Sequence, residues 1–238
     1  MPETGATAAL RDVHAALILR FGRRVRSDER RKAPEWMMVQ GLIGSRMPSE
    51  ASSAVADGVL ARLGSWDVVA ALALDRLTAE LKGVRFPNQS AKRVHDVLGA
   101  IVAQRGRVDL SHLAAMETGA AMAWLETLPG LGRKIAAQVM NASTLCRRAL
   151  VLDTHHLRIL ARMGLIGPRD DTRSAYDHIM PLLPPEWTAA DIDEHHALMK
   201  ELGRTHCKPK TLICETCPAL PWCETGRARV AVIQPAAA

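Results

Sequence analysis

The sequence predicts an all-α fold, and three observations carry that expectation. Aromatic residues are few (Trp 5, Phe 2, Tyr 1) and β-branched residues are sparse, which disfavours sheets, while the helix formers Ala, Leu and Arg recur throughout. Apolar residues return at helical rather than alternating spacing. Many of the candidate helices open on Ser, Thr, Asp or Pro, and several close on Gly, as at Gly64, Gly83 and Gly106.

Taken along the chain, the first helix is expected over 7–21, with Leu10, Val13 and Leu17 on one face. A basic segment follows, Arg20 to Lys32, with seven Arg/Lys against Asp28 and Glu29; it reads either as a solvated connector or as a phosphate-facing strip. Further helices are expected at 35–43, 49–63, 66–74, 77–81, 90–105, 110–115 and 118–127. Their connections are short, as in a compact helical bundle. After a glycine-containing turn the pattern resumes at 135–143, 153–163, 172–183 and 188–207, and 224–238 reads as a frayed tail.

With 238 residues, 48% hydrophobic and 24% charged, the chain is neither disordered nor fibrous. Its longest apolar runs, such as 15–19 and 68–74, fall far short of the roughly 20 residues of a membrane span. Glu3, Arg11, Asp12 and His14 precede a short apolar run with no small-residue cleavage site, so no secretory leader is read. The expectation is a soluble, cytoplasmic monomer with no membrane partner. A net charge of +6 admits an anionic partner without identifying one.

Three features carry chemistry. In Leu128-Pro129-Gly130-Leu131-Gly132-Arg133-Lys134 two glycines permit a tight turn that opens directly into a helix, and the backbone N–H groups there suit an anion such as a phosphate. The bland alternative is an ordinary helix–turn–helix connection. Lys134 starts the following helix, where the dipole and desolvation disfavour its charged form; a neutral amine is a nucleophile able to form a Schiff base. An exposed helix lysine is the alternative. Asp153, in Leu152-Asp153-Thr154-His155, is either an N-cap or a carboxylate that stabilises an oxocarbenium-like sugar.

The third feature is Cys207, Cys214, Cys217 and Cys223, four of the five cysteines, spaced C-x6-C-x2-C-x5-C. Such a cluster reads as a metal site rather than a disulfide framework. The irregular spacing favours a [4Fe–4S] cluster over zinc, which usually takes two short cysteine pairs. Lys208 and Lys210 lie between the first two cysteines and can present charge to a phosphate backbone. Cys146 reads as a buried thiol within a helix, and the five tryptophans (36, 66, 124, 187 and 222) as core.

Together and in this order, these motifs resemble the helix-hairpin-helix DNA glycosylases, in particular the endonuclease III group, over about residues 35–223. The resemblance implies two helical domains flanking a DNA-binding cleft. One is a six-helix barrel carrying the hairpin (35–147); the other is an iron–sulfur domain built from both chain ends (1–34 and 148–223). It places Lys134 on the lyase nucleophile, Asp153 on the catalytic aspartate, and the four cysteines on the [4Fe–4S] ligands. Gly130, Leu131, Gly132 and Arg133 then face DNA, with His155 a further candidate phosphate contact. The implied activity is excision of a damaged, oxidised pyrimidine from duplex DNA followed by β-elimination at the abasic site.

The chain departs from the group at Leu42-Ile43-Gly44-Ser45-Arg46-Met47-Pro48-Ser49, where the group has Leu-Leu-Ser-Ala-Gln-Ala-Thr-Asp. Arg46 stands in place of the Gln that fills the gap left by a flipped base; it reads either as filling that gap, the favoured reading, or as an ordinary surface arginine. The departure keeps open a uracil or 5-modified-uracil preference. A non-catalytic reading is a DNA-binding or redox-sensing iron–sulfur module, which would need neither Lys134 nor Asp153.

Overall fold

The structure, a computed structural model, describes residues 5–233. Among these residues regular structure is helical, apart from two isolated β-bridges, Lys32 with Ser143 and Cys207 with Leu212. The chain divides into two compact units, residues 1–27 with 148–238, and residues 28–147.

The first unit opens with α1 (Gly5–Phe21), which buries Leu10, Val13 and Leu17 as its spacing dictates. The expected boundary at 34 moves to 27. Residues 28–34 belong with the second unit because Arg31 donates to the Asn141 carbonyl (2.9 Å) and Thr144 N–H donates to the Lys32 carbonyl (3.0 Å).

The second unit holds α2 (Pro34–Ile43), α3 (Ser49–Leu63), α4 (Trp66–Ala70), α5 (Leu74–Glu80), α6 (Pro87–Arg105), α7 (Thr118–Glu126) and α8 (Arg133–Ala142). One of these seven, α4, is only five residues long. Residues 66–74, expected as one helix, split at 71–73, with α5 starting at Leu74; the adjacent β-branched Val68 and Val69 in α4 are weak helix formers. The stretch 111–115 is a 3₁₀ turn. Pro34 and Pro87 open α2 and α6, where a missing N–H costs nothing. Met38, Leu42, Val97, Leu98, Ile101, Leu125, Ala137 and Met140 are buried in this unit, with α2 packed against α3, α6 and α8.

The first unit resumes with α9 (Thr154–Met163), α10 (Thr172–Ile179), α11 (Ala189–Thr205) and α12 (Glu224–Ile233). α11 packs on α1 and α9, and α12 on α9. α10 ends earlier than expected, at Ile179, and a 3₁₀ turn follows at Met180–Leu182, since Pro181 has no N–H to extend the α-helical ladder. The expected tail is corrected over 224–233. Cys223 anchors that stretch, its sulfur accepting from Gly226 N–H (3.3 Å) and its carbonyl from Arg227 N–H (2.9 Å). Residues 234–238 lie outside the described residues.

Trp36, Trp66 and Trp187 are buried, as read, but Trp124 and Trp222 are only half-buried. Cys146 is corrected outright. It is exposed, in a turn beyond α8, with φ 49°.

Candidate functional site

In the unit of residues 28–147, the turn between α7 and α8 is built as its glycines demand. Gly130 has φ 77°, which a side chain tolerates poorly, and Leu131 N–H donates to the Leu128 carbonyl (3.1 Å) to close the turn. Gly132 has ordinary dihedrals and serves another purpose: it caps α8 without a side chain, and a Cβ on either glycine would meet nothing within 4 Å. The backbone is therefore open to approach at the N-terminus of α8.

Of the residues read as facing DNA, Leu131 is 3% exposed and offers only its backbone. The Arg133 guanidinium turns back to pair with Glu126 at the end of α7, both largely buried, so its side chain fastens the hairpin. Lys134 is half-buried at the second position of α8.

Arg46 lies in the loop between α2 and α3, exposed, with φ 55°. A long non-glycine side chain in the left-handed region is uncommon and costs energy. The loop is held by a buried relay the sequence did not disclose: Gln138 on α8 donates to Gln40 (2.6 Å), and Gln40 donates to the Ser52 hydroxyl (2.8 Å).

In the other unit, Asp153 is the N-cap of α9. Its Oδ1 accepts from the His155 and His156 amides (2.8 and 3.0 Å) and lies 3.4 Å from His156 Nδ1. Burial would raise its pKa, but the His156 hydrogen bonds and the charges of His156 and His196 outweigh that and hold the carboxyl far below the usual carboxylate range. The capping reading therefore holds, and the cap commits Oδ1 to backbone donors while the carboxyl stays ionised.

His156 is fully buried, and its ring stacks on His196 of α11 with centroids 4.9 Å apart. Neither residue was singled out from sequence as a partner of Asp153. The doublet at 155–156 hinted at one of them, while His196 lies 43 positions from Asp153 and only the packing of α9 on α11 brings it near. His155, read as a phosphate contact, has its Nδ1 3.1 Å from Arg158 and packs where Gly203 of α11 leaves room.

The far end of α9 reaches the cysteines. Arg158 donates to the Cys207 carbonyl (2.8 Å), and Arg162 to the Cys207 sulfur (3.1 Å) and the Lys208 and Pro209 carbonyls (2.9 and 3.1 Å). Cys207, Cys214, Cys217 and Cys223 line one small cavity with Arg162, His206 and Gly226, and all four are free. Burial raises the Cys214 and Cys223 thiols and pushes Cys217 up to about 11. Four cysteines around a shared hollow, with N–H groups of Arg162 and Gly226 on two of the sulfurs, make a donor set suited to a thiolate-bound metal centre. Lys208 and Lys210 are exposed on the turn closed by the Cys207–Leu212 bridge.

The basic segment is neither plain connector nor free strip. Arg23 and the Arg24 amide bind Glu194 (3.3 and 2.6 Å), and Arg26 pairs with Asp193 (2.8 Å), both carboxylates on α11.

No protein-family model matches the chain. It is 28% identical over 160 residues to endonuclease III of Bacillus subtilis (strain 168), a match covering 67% of this chain and 66% of that protein, just under two thirds of its length. Its fold is similar to that in the structure of a non-covalent endonuclease III–DNA complex, with TM-score 0.73 and 20% identity over 94% of this chain and 98% of the other. A thermostable thymine-DNA glycosylase gives TM-score 0.70 and 15% identity over 94% and 97%. In sequence and in all-helical fold alike, the chain is endonuclease III-like, similar to the helix-hairpin-helix DNA glycosylases.

Proposed function

We propose that the chain is a base-excision DNA glycosylase with AP-lyase activity on duplex DNA carrying a damaged, oxidised pyrimidine. The observation that carries this reading is the α7–α8 hairpin, whose open glycine backbone leads directly into Lys134. The exposed amides suit a DNA phosphate, which they bind without regard to sequence. The damaged nucleotide must leave the stack before its sugar can be reached. The Lys134 amine, unprotonated, attacks C1′ as the glycosidic C–N bond breaks and the base departs with the bonding electrons. Attack leaves an aminal; the amine proton passes to O4′ as the C1′–O4′ bond breaks, which opens the sugar ring and gives the protonated Schiff base, and removal of a 2′ proton then expels the 3′ oxygen by β-elimination. Asp153, held ionised, stabilises the positive charge that develops on the sugar as the C–N bond breaks.

Cys207, Cys214, Cys217 and Cys223 would hold a [4Fe–4S] cluster. It would supply a rigid cross-link and a redox couple, while Lys208 and Lys210 beside it offer charge to the phosphate backbone. The expected preparation is yellow-brown with four irons per chain; a colourless protein with stoichiometric zinc would overturn that assignment.

A second substrate reading, uracil or a 5-modified uracil, is favoured by one observation: the family Gln position is Arg46 on a left-handed backbone. The test is borohydride trapping and strand cleavage on duplexes carrying thymine glycol, uracil, 5-hydroxymethyluracil or an abasic site. Trapping with thymine glycol that disappears in Lys134→Gln supports the first reading. Trapping confined to uracil-type bases supports the second. Tight binding without any trapped adduct overturns both in favour of a non-catalytic module.

A further inference from the structure

Along the seam between α2 and α8 runs a chain of side-chain hydrogen bonds, where apolar packing alone would close the helices. Both helices bury apolar residues, Met37, Met38 and Leu42 on one and Ala137 and Met140 on the other, and such contact has no direction. It brings two helices together without fixing how far one has slid along the other. Gln138 supplies the direction. Its Nε2 donates to Gln40 Oε1 (2.6 Å) and lies 3.3 Å from Met37 Sδ, both on α2. Gln40 is buried and donates in turn to Ser52 Oγ (2.8 Å), which donates to the Ser49 carbonyl (3.0 Å).

This relay joins two places that base excision would use. Gln40 lies in the last turn of α2 and Ser52 in the first turn of α3, so the two bracket the loop that presents Arg46. The Gln40 carbonyl accepts the Gly44 amide (3.0 Å) and the Pro48 carbonyl accepts the Ser52 amide (3.2 Å), which closes the loop at both ends. At the far end of the relay, Gln138 follows Lys134 by four residues, one turn along the same face of α8. Gly41 lets the helices approach: a Cβ there would lie 3.1 Å from Ile135 Cγ2 and 3.5 Å from Gln138 Nε2.

We propose that Gln138, acting through Gln40 and Ser52, is a positioning residue that holds the Arg46 loop in register with the Lys134 helix. Resting on the proposed function, the relay makes the arginine at the gap left by the flipped base and the amine that attacks its sugar address one nucleotide. A slide of α8 by one residue is about 1.5 Å, enough to part Gln138 from Gln40. A misplacement of about 1 Å at a reacting centre costs on the order of 100-fold in rate. A buried polar chain that is fully joined allows one arrangement, whereas an apolar seam allows several.

The test compares the full-length protein with Gln138→Met and with the double variant Gln40→Met/Gln138→Met. Four readouts are taken: single-turnover base release at saturating lesion duplex, duplex affinity, thermal melting and amide hydrogen exchange. Met keeps the shape of Gln without its hydrogen bonds, and changing both partners leaves no buried amide unpaired. The double variant therefore carries the test should the single change prevent folding. It is expected to melt within a few degrees of the parent and to release base about tenfold more slowly or worse, with duplex affinity changed by less than about threefold. Exchange is expected to quicken at 44–52 and to stay as in the parent along α6. A lower melting temperature with faster exchange throughout the unit and an unchanged rate at saturation would show a merely structural role and overturn the proposal, as would release and loop exchange both unchanged. A parent that excises nothing, with loop exchange responding as described, overturns the proposed function and leaves the link between loop and helix standing. A parent that excises, with both variants equally fast, does the reverse.

Discussion

At Asp153 a helix cap and the carboxylate proposed to stabilise the sugar share one side chain, and substitution separates their contributions. Asn caps a helix about as well as Asp, whereas Ala costs about 1 kcal/mol. Asp153→Asn is therefore expected to unfold within a few degrees of the parent while losing base excision, measured by thermal melts beside single-turnover release of the base. Arg46 offers the opposite trade. Gly at that position relieves a left-handed backbone worth about 1 kcal/mol, so Arg46→Gly is expected to raise the melting temperature and to weaken binding of lesion-containing duplex. Equal affinity for lesion duplex would deny Arg46 a role in filling the gap. These residues were legible in the sequence because short spacing encodes them: a Gly-x-Gly turn followed by Lys, an Asp before an amphipathic helix, a cysteine run. His196 was not, because its relation to Asp153 exists only once α9 lies on α11. The same holds for the arginines at 23 and 26, whose partners Glu194 and Asp193 are about 170 positions away.

Among the elements, α9 does the most positioning. Asp153 caps its start, its apolar face buries Ile159, Leu160 and Met163, and Arg158 and Arg162 reach the cysteine loop. It stops at Gly164, φ 83°, where an added Cβ would run into the Glu224 carboxylate of α12. Gly164→Ala is thus strained by its backbone, while the Glu224 carboxylate, the end of a flexible side chain, turns aside. It is expected to destabilise by roughly the 1–2 kcal/mol of a left-handed alanine. Gly130→Ala, with open space around it, should cost the same, and denaturant melts in which Gly164→Ala cost clearly more would show that Glu224 is held in place. Helix boundaries were read closely where caps or prolines mark them, as at α3 and α11. They were missed where only tertiary contact decides, as in α12, whose sequence lacks a strong apolar stripe and whose support comes from Cys223 and α9.

For the molecule as a whole, each unit carries an imidazole whose protonation burial disfavours. His14 in the first and His112 in the second both have lowered pKa values, desolvation being the main cause, and Glu194 only partly opposes it at His14. The sign of the resulting pH dependence is fixed. Above about 6.5, the unfolded histidine value, both states are neutral and nothing is lost. Below it the unfolded chain takes up protons that the fold refuses, so stability falls on acidification. His112 packs edge-on against Trp124 with ring centroids 4.5 Å apart and has no hydrogen-bond partner at either ring nitrogen among the described residues. His112→Phe should therefore keep the contact and flatten the decline between pH 7.5 and 5.5 in thermal melts, both values being roughly one unit either side of that pKa; an unchanged slope would show that His112 titrates normally.

One unit is made from both ends of the chain, with α1 packed on α11, and this has a consequence for biosynthesis. As the polypeptide leaves the ribosome, Leu10, Val13 and Leu17 emerge first, yet their partner helix is made some 180 residues later, on the order of 10–40 s at ordinary elongation rates. Residues 28–147 have all their internal partners well before then. The inserted unit is free to fold on the nascent chain while the apolar stripe of α1 waits, which makes that stripe the natural place for a chaperone to hold.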